Sequence, residues 1–194
     1  LILDGGNFDW GGAGADRQPA LNTPDPCYGG VVWDEQVTNT MGLPFAYLLK
    51  LRTTLLRDLG GAMSPFSAWM FIQGLETLPL GMREHAKNAQ AVAEFLENND
   101  KVQSVTYPGL FEGAEREKAD KYMKGGYGAL IGFELPGGKE AGSKFIDSLE
   151  LLYHVANIGD SRSLAIHPAT TTHSQLAPEE QLSAGVTPGY VRLS

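Results

Sequence analysis

The side chain in this sequence that is most clearly suited to a chemical role is Arg192, within the stretch Val191-Arg192-Leu193-Ser194. Residues 190–193 alternate in a way that predicts a strand, and a guanidinium on a core-facing strand is costly unless it meets an anion. The planar fork can grip a substrate carboxylate through two hydrogen bonds. An internal ion pair with one of the 23 acidic side chains is the other interpretation. Spacing alone leaves both open and favours the ion pair, because structural pairs outnumber substrate sites.

Three histidines, His154, His167 and His173, lie near enough in sequence to suggest a metal site. However, Pro168 argues against a helix through His167 and His173, so the i, i+4 presentation of helical metal ligands is missing. We therefore expect His167 and His173 to hydrogen-bond to loop backbone and to support the wall of a site. The serines nearby also lack the strand-turn-helix setting of a hydrolase nucleophile.

The glycine pairs and the single cysteine do not indicate a binding or catalytic site. Gly125-Gly126 and Gly137-Gly138 lack the Gly-x-Gly-x-x-Gly spacing of a phosphate-binding loop, so both predict turns. Cys27 has no neighbouring base or basic cluster, and we interpret it as a buried or indifferent thiol. With one cysteine the chain has no internal disulfide, which fits a reduced compartment.

Composition narrows the classes of protein further. The 194 residues are 42% hydrophobic, enough for one sizeable core or for parts of two domains. The net charge is −8 and the 15 basic residues are scattered, so the sequence has no footprint for nucleic acid. Charged or polar residues interrupt the apolar stretches 43–51 and 65–80, and no signal-peptide pattern is present. We expect a cytoplasmic protein that does not cross a membrane.

The first half of the chain predicts a loop followed by two helices. Residues 5–40 are rich in turn formers and predict a long surface loop, whereas the apolar stripe in 44–59 predicts a helix ended by Gly60-Gly61. Ser64-Pro65 has the form of a helix start, and the helix should run to Glu97. Pro79 predicts a kink or break within it.

The second half predicts a small α/β layer, because short apolar runs alternate with amphipathic segments. The predicted strands are 102–107, 128–135, 151–155, 164–166 and 190–193, and the predicted helices are 112–123 and 139–149. The chain starts without Met in Leu1-Ile2-Leu3, a run typical of a strand, and it stops within another strand. We therefore expect a fragment of a longer protein.

Six segments together carry a resemblance to a known family. They are 4–10 (DGGNFDW), 59–66 (LGGAMSPF), 74–78 (GLETL), 156–160 (ANIGD), 167–174 (HPATTTHS) and 191–194 (VRLS). This set resembles the Cys/Met-metabolism family of pyridoxal-phosphate (PLP) enzymes, and segment 4–10 is similar to its O-acetylhomoserine sulfhydrylase branch. The resemblance runs from end to end of the chain.

The resemblance implies an α/β fold of the aspartate aminotransferase type, fold type I. Residues 1–78 would be the end of the large cofactor-binding domain, with a long loop insertion and the start of a connecting helix. Residues 79–194 would be an incomplete C-terminal substrate domain. The resemblance places the loop at the rim of the active site, whereas the composition of the loop alone predicts only a variable loop that covers the domain. The lysine that binds PLP would precede Asp4, and a further helix would follow Ser194.

For function, the resemblance implies PLP as cofactor and a γ-replacement reaction. O-acetylhomoserine and sulfide, or methanethiol, would give homocysteine, or methionine, and acetate, in an enzyme that forms a homotetramer. Arg192 matches the arginine that binds the substrate α-carboxylate, Asn157 a main-chain contact to the same group, and Thr172 a hydroxyl that lines the pocket. Ser163 is a weaker candidate, and no lysine here matches the catalytic one.

Three alternatives to this activity stay open. A methionine γ-lyase or an enzyme like cystathionine γ-synthase would use the same carboxylate pocket, and keto-acid production from methionine would indicate the lyase. A catalytically silent fragment that binds a small acid or a partner subunit is the third, because the PLP lysine has no match in this sequence.

Overall fold

The computed structural model describes residues 2–12 and 14–194. These residues form two compact units, of which the first ends at Ala68 and the second is Trp69–Ser194. The division falls in the first turn of a long helix. The boundary that the sequence suggested, after residue 78, lies further along the same helix and stays a prediction. A strand was expected over residues 1–3. Residues 2 and 3 do not form a strand, and residue 1 lies outside the described part of the chain.

The first unit is helical, with short helices around one small core. Its helices are α1 Pro19–Asn22, α2 Trp33–Met41, α3 Ala46–Leu51, a π-helical turn Arg52–Leu56 and α4 Arg57–Leu59. The buried hydrophobic side chains of this core are Leu21, Trp33, Val37 and Ala46. The helix predicted over 44–59 is confirmed, and Gly60 ends it in the left-handed conformation with φ 66°.

Helix α2 corrects the prediction that residues 5–40 form only a loop. Trp33 and Val37 lie one turn apart and are both buried, so the helix has an apolar contact with the core. Asp34 and Glu35 occupy its first turn, where negative charge stabilises a helix, and Gly42 ends it at φ 67°. Because turn-forming residues surround this segment, the helical spacing of Trp33 and Val37 was not recognised in the sequence.

Asp25 organises the loop before α2. Its carboxylate accepts hydrogen bonds from Trp33 Nε1 at 2.8 Å, Lys50 Nζ at 2.5 Å and the backbone N–H of Cys27 at 2.9 Å. The hydrogen bonds from Lys50 and then Trp33 lower the pKa of Asp25 from 3.8 to about 2. Cys27 itself is exposed, so of the two expectations for it, a buried or an indifferent thiol, the buried one is wrong.

These contacts predict acid-sensitive folding of the first unit. A carboxyl whose pKa is lower in the folded state stabilises that state above its unfolded pKa. The contribution of Asp25 is therefore complete above about pH 4 and is lost as the pH falls from there toward 2. We expect Asp25→Asn to lower the midpoint of urea denaturation at pH 7, measured by near-ultraviolet circular dichroism. The midpoint of the variant should also fall less than that of the unchanged protein when the pH is lowered from 4 to 2. An equal pH dependence in the variant would contradict this role.

The second unit begins within α5, Pro65–Glu97, and the prediction of this helix is confirmed at both ends. Ser64 Oγ accepts the Ser67 N–H at 3.1 Å, as an N-cap residue does. The helix is continuous through Pro79, so a break there is not found. Pro79 is exposed, which lets water satisfy the carbonyl that loses its helical partner.

A five-stranded sheet follows, with strand order β1-β2-β5-β4-β3. The strands are β1 Ser104–Thr106, β2 Ile131–Glu134, β3 Tyr153–His154, β4 Leu164–Ile166 and β5 Tyr190–Leu193, and the helices are α6 Gly113–Tyr122, α7 Gly138–Asp147 and α8 Pro178–Ser183. All pairings are antiparallel except β3 with β4. The α/β layer predicted from the sequence is confirmed, and α8 is an element that was not predicted.

Two clusters of buried hydrophobic side chains in this unit lie on one face of the sheet. Val191 of β5 and Phe133 of β2 pack with Ile146 of α7, while Ala89 and Ala93 of α5 pack with Ile131 and Tyr107. Val191 and Tyr107 are fully buried. Because side chains alternate across a strand, the neighbours of Val191 on β5, Tyr190 and Arg192, lie on the opposite face.

Candidate functional site

Strand β5 lies in the middle of the sheet and places Arg192 between two neighbours. Arg192 pairs with Gly132 of β2 and with Ile166 of β4. Gly132 has no side chain, and the ring of Tyr190 occupies that space, since an added Cβ would lie 2.3 Å from the Tyr190 hydroxyl. Burial is the main cause that raises the pKa of Tyr190, and the nearby Arg192 charge opposes it. The arginine therefore stands on a packed, rigid part of the sheet.

The Arg192 guanidinium is only partly satisfied. Its Nη2 donates to the Asn157 carbonyl oxygen at 3.1 Å, whereas its Nε is buried and has no hydrogen-bond partner. None of the ion pairs in the described part of the chain involves Arg192. A buried donor without a partner costs about 1–3 kcal/mol. The internal ion pair considered from the sequence is therefore absent among the described residues, and the arrangement suits an added anion.

Asn157 meets Arg192 through its main chain. Its carbonyl oxygen accepts from Arg192 Nη2 and, at 3.4 Å, from the hydroxyl of Ser194. The structure thus brings together two residues that lie 35 positions apart in the chain. Ser194 was not among the predicted site residues. Its spacing of two from Arg192, which puts both on the same face of a strand, was the available signal.

Thr172 and Ser163 are not joined to Arg192 by a hydrogen bond in the described part of the chain. The Thr172 hydroxyl lies 2.9 Å from His173 Nδ1, and its side chain is exposed. Ser163 is exposed, and its carbonyl accepts the Tyr153 N–H at 3.0 Å. Their places in a substrate pocket stay predictions.

His167 is fully buried and supports the loop before β5. Its Nε2 lies 2.8 Å from the Pro188 carbonyl, and its Nδ1 lies 2.9 Å from the Thr170 hydroxyl. A carbonyl only accepts, so Nε2 carries the hydrogen and Nδ1 is free to accept from Thr170 in the neutral ring. Gly142 of α7 makes room for the ring, since a Cβ there would lie 2.3 Å from Nε2.

This arrangement confirms that His167 bonds to loop backbone. The ring of His173 bonds instead to the side chain of Thr172, although its own backbone carbonyl accepts from Gln181 at 2.7 Å. Across residues 2–12 and 14–194, no cluster of three His, Cys, Asp or Glu side chains is arranged to hold a metal ion. In the structure His167 therefore connects its own loop to the loop before β5, whereas the His173 ring bonds to its neighbour Thr172.

The loop that carries Asn157 has a second attachment at Asp160. The Arg162 side chain donates from Nε at 3.1 Å and from Nη2 at 2.8 Å to the two oxygens of Asp160, whose Oδ1 also accepts the Arg162 N–H at 2.9 Å. The Arg162 guanidinium lies 4.7 Å from the centre of the Tyr153 ring. Hydrogen bonds from Arg162 lower the pKa of Asp160 to about 2, so the carboxyl is ionised at neutral pH.

A groove of about 550 Å³ passes beside the same loop. Leu78 and Met82 of α5 lie along it, together with Leu130, Ile158 and Ser194. Its walls are mainly apolar, and neither Arg192 nor any lysine lines it. The described residues thus provide a donor for a carboxylate at Arg192, but no lysine in this groove.

Comparison with known proteins decides the family. The sequence profile of the Cys/Met metabolism PLP-dependent enzymes matches residues 27–194. The chain belongs to this family. The α/β fold of the structure agrees with that assignment, and the family resemblance drawn from the sequence motifs is confirmed.

Curated relatives match along the whole chain. It is 50% identical to an O-acetyl-L-homoserine sulfhydrylase of Leptospira meyeri, covering 100% of this chain and 44% of that protein. It is 44% identical to a homocysteine synthase of Schizosaccharomyces pombe, with the same two shares. The chain therefore spans less than half the length of these relatives.

Solved structures give the same result for the fold. A putative O-acetylhomoserine (thiol)-lyase of Campylobacter jejuni, solved with N'-pyridoxyl-lysine-5'-monophosphate, is 41% identical with a TM-score of 0.76, covering 92% of this chain and 41% of that one. A cystathionine gamma synthase of Xanthomonas oryzae, in complex with aminoacrylate and cysteine, is 38% identical with a TM-score of 0.64, covering 71% and 35%. Among the described residues, no helix is both long and apolar enough to cross a bilayer.

Proposed function

We propose that this chain forms the carboxylate-binding part of a PLP-dependent enzyme that makes homocysteine or methionine from O-acetylhomoserine and sulfide or methanethiol. In this reaction the Cγ–O bond to acetate breaks and a Cγ–S bond forms. The observation that carries the proposal is the buried, unpaired Nε of Arg192 beside the Asn157 carbonyl. The names of the relatives, which include O-acetyl-L-homoserine sulfhydrylase and homocysteine synthase, support the choice of substrate and product.

Arg192 binds the α-carboxylate of the amino-acid substrate in this proposal. Its free donors form two parallel hydrogen bonds with the two carboxylate oxygens, a geometry that a point charge does not impose. The Asn157 carbonyl limits rotation of the guanidinium by holding Nη2. The substrate Cα–H bond is thereby oriented, and such positioning supplies several kcal/mol of barrier reduction.

PLP, when bound, supplies the electron sink that lets a proton leave Cα and the acetate leave Cγ. The residues of this chain that suit the reaction are those around the substrate carboxylate. Thr172 is proposed to add a hydroxyl to the wall of this pocket, and Ser163 is a weaker candidate for the same wall. We also propose a homotetramer in the cytoplasm, as the family resemblance implies.

The test uses a protein of the relatives' length that contains this sequence. It measures acetate released from O-acetylhomoserine, with and without sulfide, and the thiol formed. We expect acetate release that depends on sulfide and an equal amount of homocysteine. A control with methionine as the sole substrate should yield no keto acid. Keto acid from methionine, or no turnover of O-acetylhomoserine with PLP bound, would reject the sulfhydrylase assignment.

A further inference from the structure

The segment between β3 and β4, residues 155–163, carries the carbonyl that holds Arg192, yet few hydrogen bonds restrain it. At its ends, the Tyr153 N–H donates to the Ser163 carbonyl at 3.0 Å, and Val155 N–H donates to the Tyr153 carbonyl at 3.1 Å. Within the segment, the hydrogen bonds of the described residues centre on the Asn157 carbonyl and on Asp160. The position of this carbonyl therefore depends on a small number of contacts.

The contact at Asp160 has a well-defined geometry for an ion pair near the surface. Exposed pairs stabilise proteins little unless their geometry is well defined. Here both side-chain oxygens of Asp160 are engaged by Arg162 in a forked arrangement, and the Asp160 side chain is only 15% exposed. The Arg162 guanidinium also rests on the Tyr153 ring, so the pair connects the segment to β3.

The turn between Asn157 and Asp160 transmits this restraint. Gly159 has φ 85°, a left-handed conformation that lets the chain reverse between the two residues. Only Ile158 and Gly159 separate Asn157 from Asp160, so a displacement of Asp160 is expected to shift the Asn157 carbonyl. That carbonyl is the hydrogen-bond acceptor of the Arg192 guanidinium in the described part of the chain.

We propose that Asp160 is a positioning residue for the carboxylate site, which it serves by fixing the turn that aims the Asn157 carbonyl at Arg192. Arg162 and Tyr153 complete the attachment. In this role Asp160 acts through Asn157 and Arg192, since both of its carboxylate oxygens are engaged by Arg162. This inference rests on the proposed function, because it concerns the same carboxylate-binding arginine.

The first experiment compares Asp160→Asn with the unchanged protein, in a chain of the relatives' length. We expect the KM for O-acetylhomoserine to rise about tenfold with kcat within about twofold, since a misplaced binding group can cost up to about a hundredfold. Asp160→Glu, which keeps the charge, should recover part of the loss. The matched control is Asp120→Asn, which removes another carboxylate paired with an arginine, Arg116 on α6, and should leave the KM unchanged.

A double-variant cycle separates positioning from general loosening. If Asp160 acts through Arg192, Asp160→Asn should weaken binding much less in an Arg192→Lys background than in the unchanged protein. The inference would be overturned if the rise in KM of the double variant equals the product of the rises in the two single variants. An unchanged KM in Asp160→Asn alone would also overturn it. A merely structural role would lower the melting temperature without this non-additivity.

Binding without turnover keeps this inference distinct from the proposed function. The probe is L-norvaline, an amino acid with a carboxylate and no leaving group, and its Kd is measured by calorimetric titration. We expect about tenfold weaker binding to Asp160→Asn, in line with the kinetic effect. Equal Kd values, or no binding to the unchanged protein, would overturn the inference. Probe binding with this difference but no sulfide-dependent acetate release would reject the proposed reaction alone.

Discussion

Replacing Arg192 with lysine is expected to lower kcat/KM for O-acetylhomoserine by about a hundredfold, mainly through a higher KM. Truncating one partner of a buried, hydrogen-bonded charge pair costs about 2–5 kcal/mol, and the lower end of this range corresponds to a factor of about 30. Lysine keeps the positive charge but loses the planar fork and the donor that bonds the Asn157 carbonyl. The measurement is steady-state kinetics in a protein of the relatives' length.

The matched control is Arg116→Lys, at a guanidinium that pairs with Asp120 on the exposed side of α6. Its kinetic constants should match those of the unchanged protein. If Arg192→Lys also leaves the KM unaltered, Arg192 does not bind the substrate carboxylate. An equal loss in both variants would indicate general destabilisation instead.

Replacing His167 with alanine should lower the free energy of unfolding by about 3–5 kcal/mol, which combines the cavity left by a large side chain and the loss of two buried hydrogen bonds. The ring is fully buried, and its removal leaves the Pro188 carbonyl and the Thr170 hydroxyl without this partner. Gly142 lies against the ring and has no side chain to fill the space. Urea denaturation followed by circular dichroism measures the change.

His154→Ala is the control for this experiment. His154 lies on β3 but is exposed, so its replacement should change the free energy of unfolding by less than about 0.5 kcal/mol. A loss below about 1 kcal/mol in His167→Ala would show that the loop before β5 does not depend on this histidine.

Local pattern accounts for the parts of the structure that were predicted correctly. Strand β4 and strand β5 have the predicted bounds, and α5 begins after Ser64 and ends at Glu97 as its capping residue and apolar spacing indicated. These features depend on side chains a few residues apart, so they can be predicted from the sequence alone. Helix α2 was missed because turn formers before it dominated the pattern, although Trp33 and Val37 have helical spacing.

Sequence pattern alone predicted that residues 102–193 form a small α/β layer, and the motifs identified the PLP-dependent family and singled out Arg192. The folded chain was needed to show that Arg192 has no acidic partner among the described residues and bonds the main chain of Asn157 instead. It also added Ser194 and the attachment of Asp160 to Arg162. The physical reason is that β5 lies between β2 and β4, strands distant from it in sequence, and this non-local pairing sets which loop the guanidinium meets.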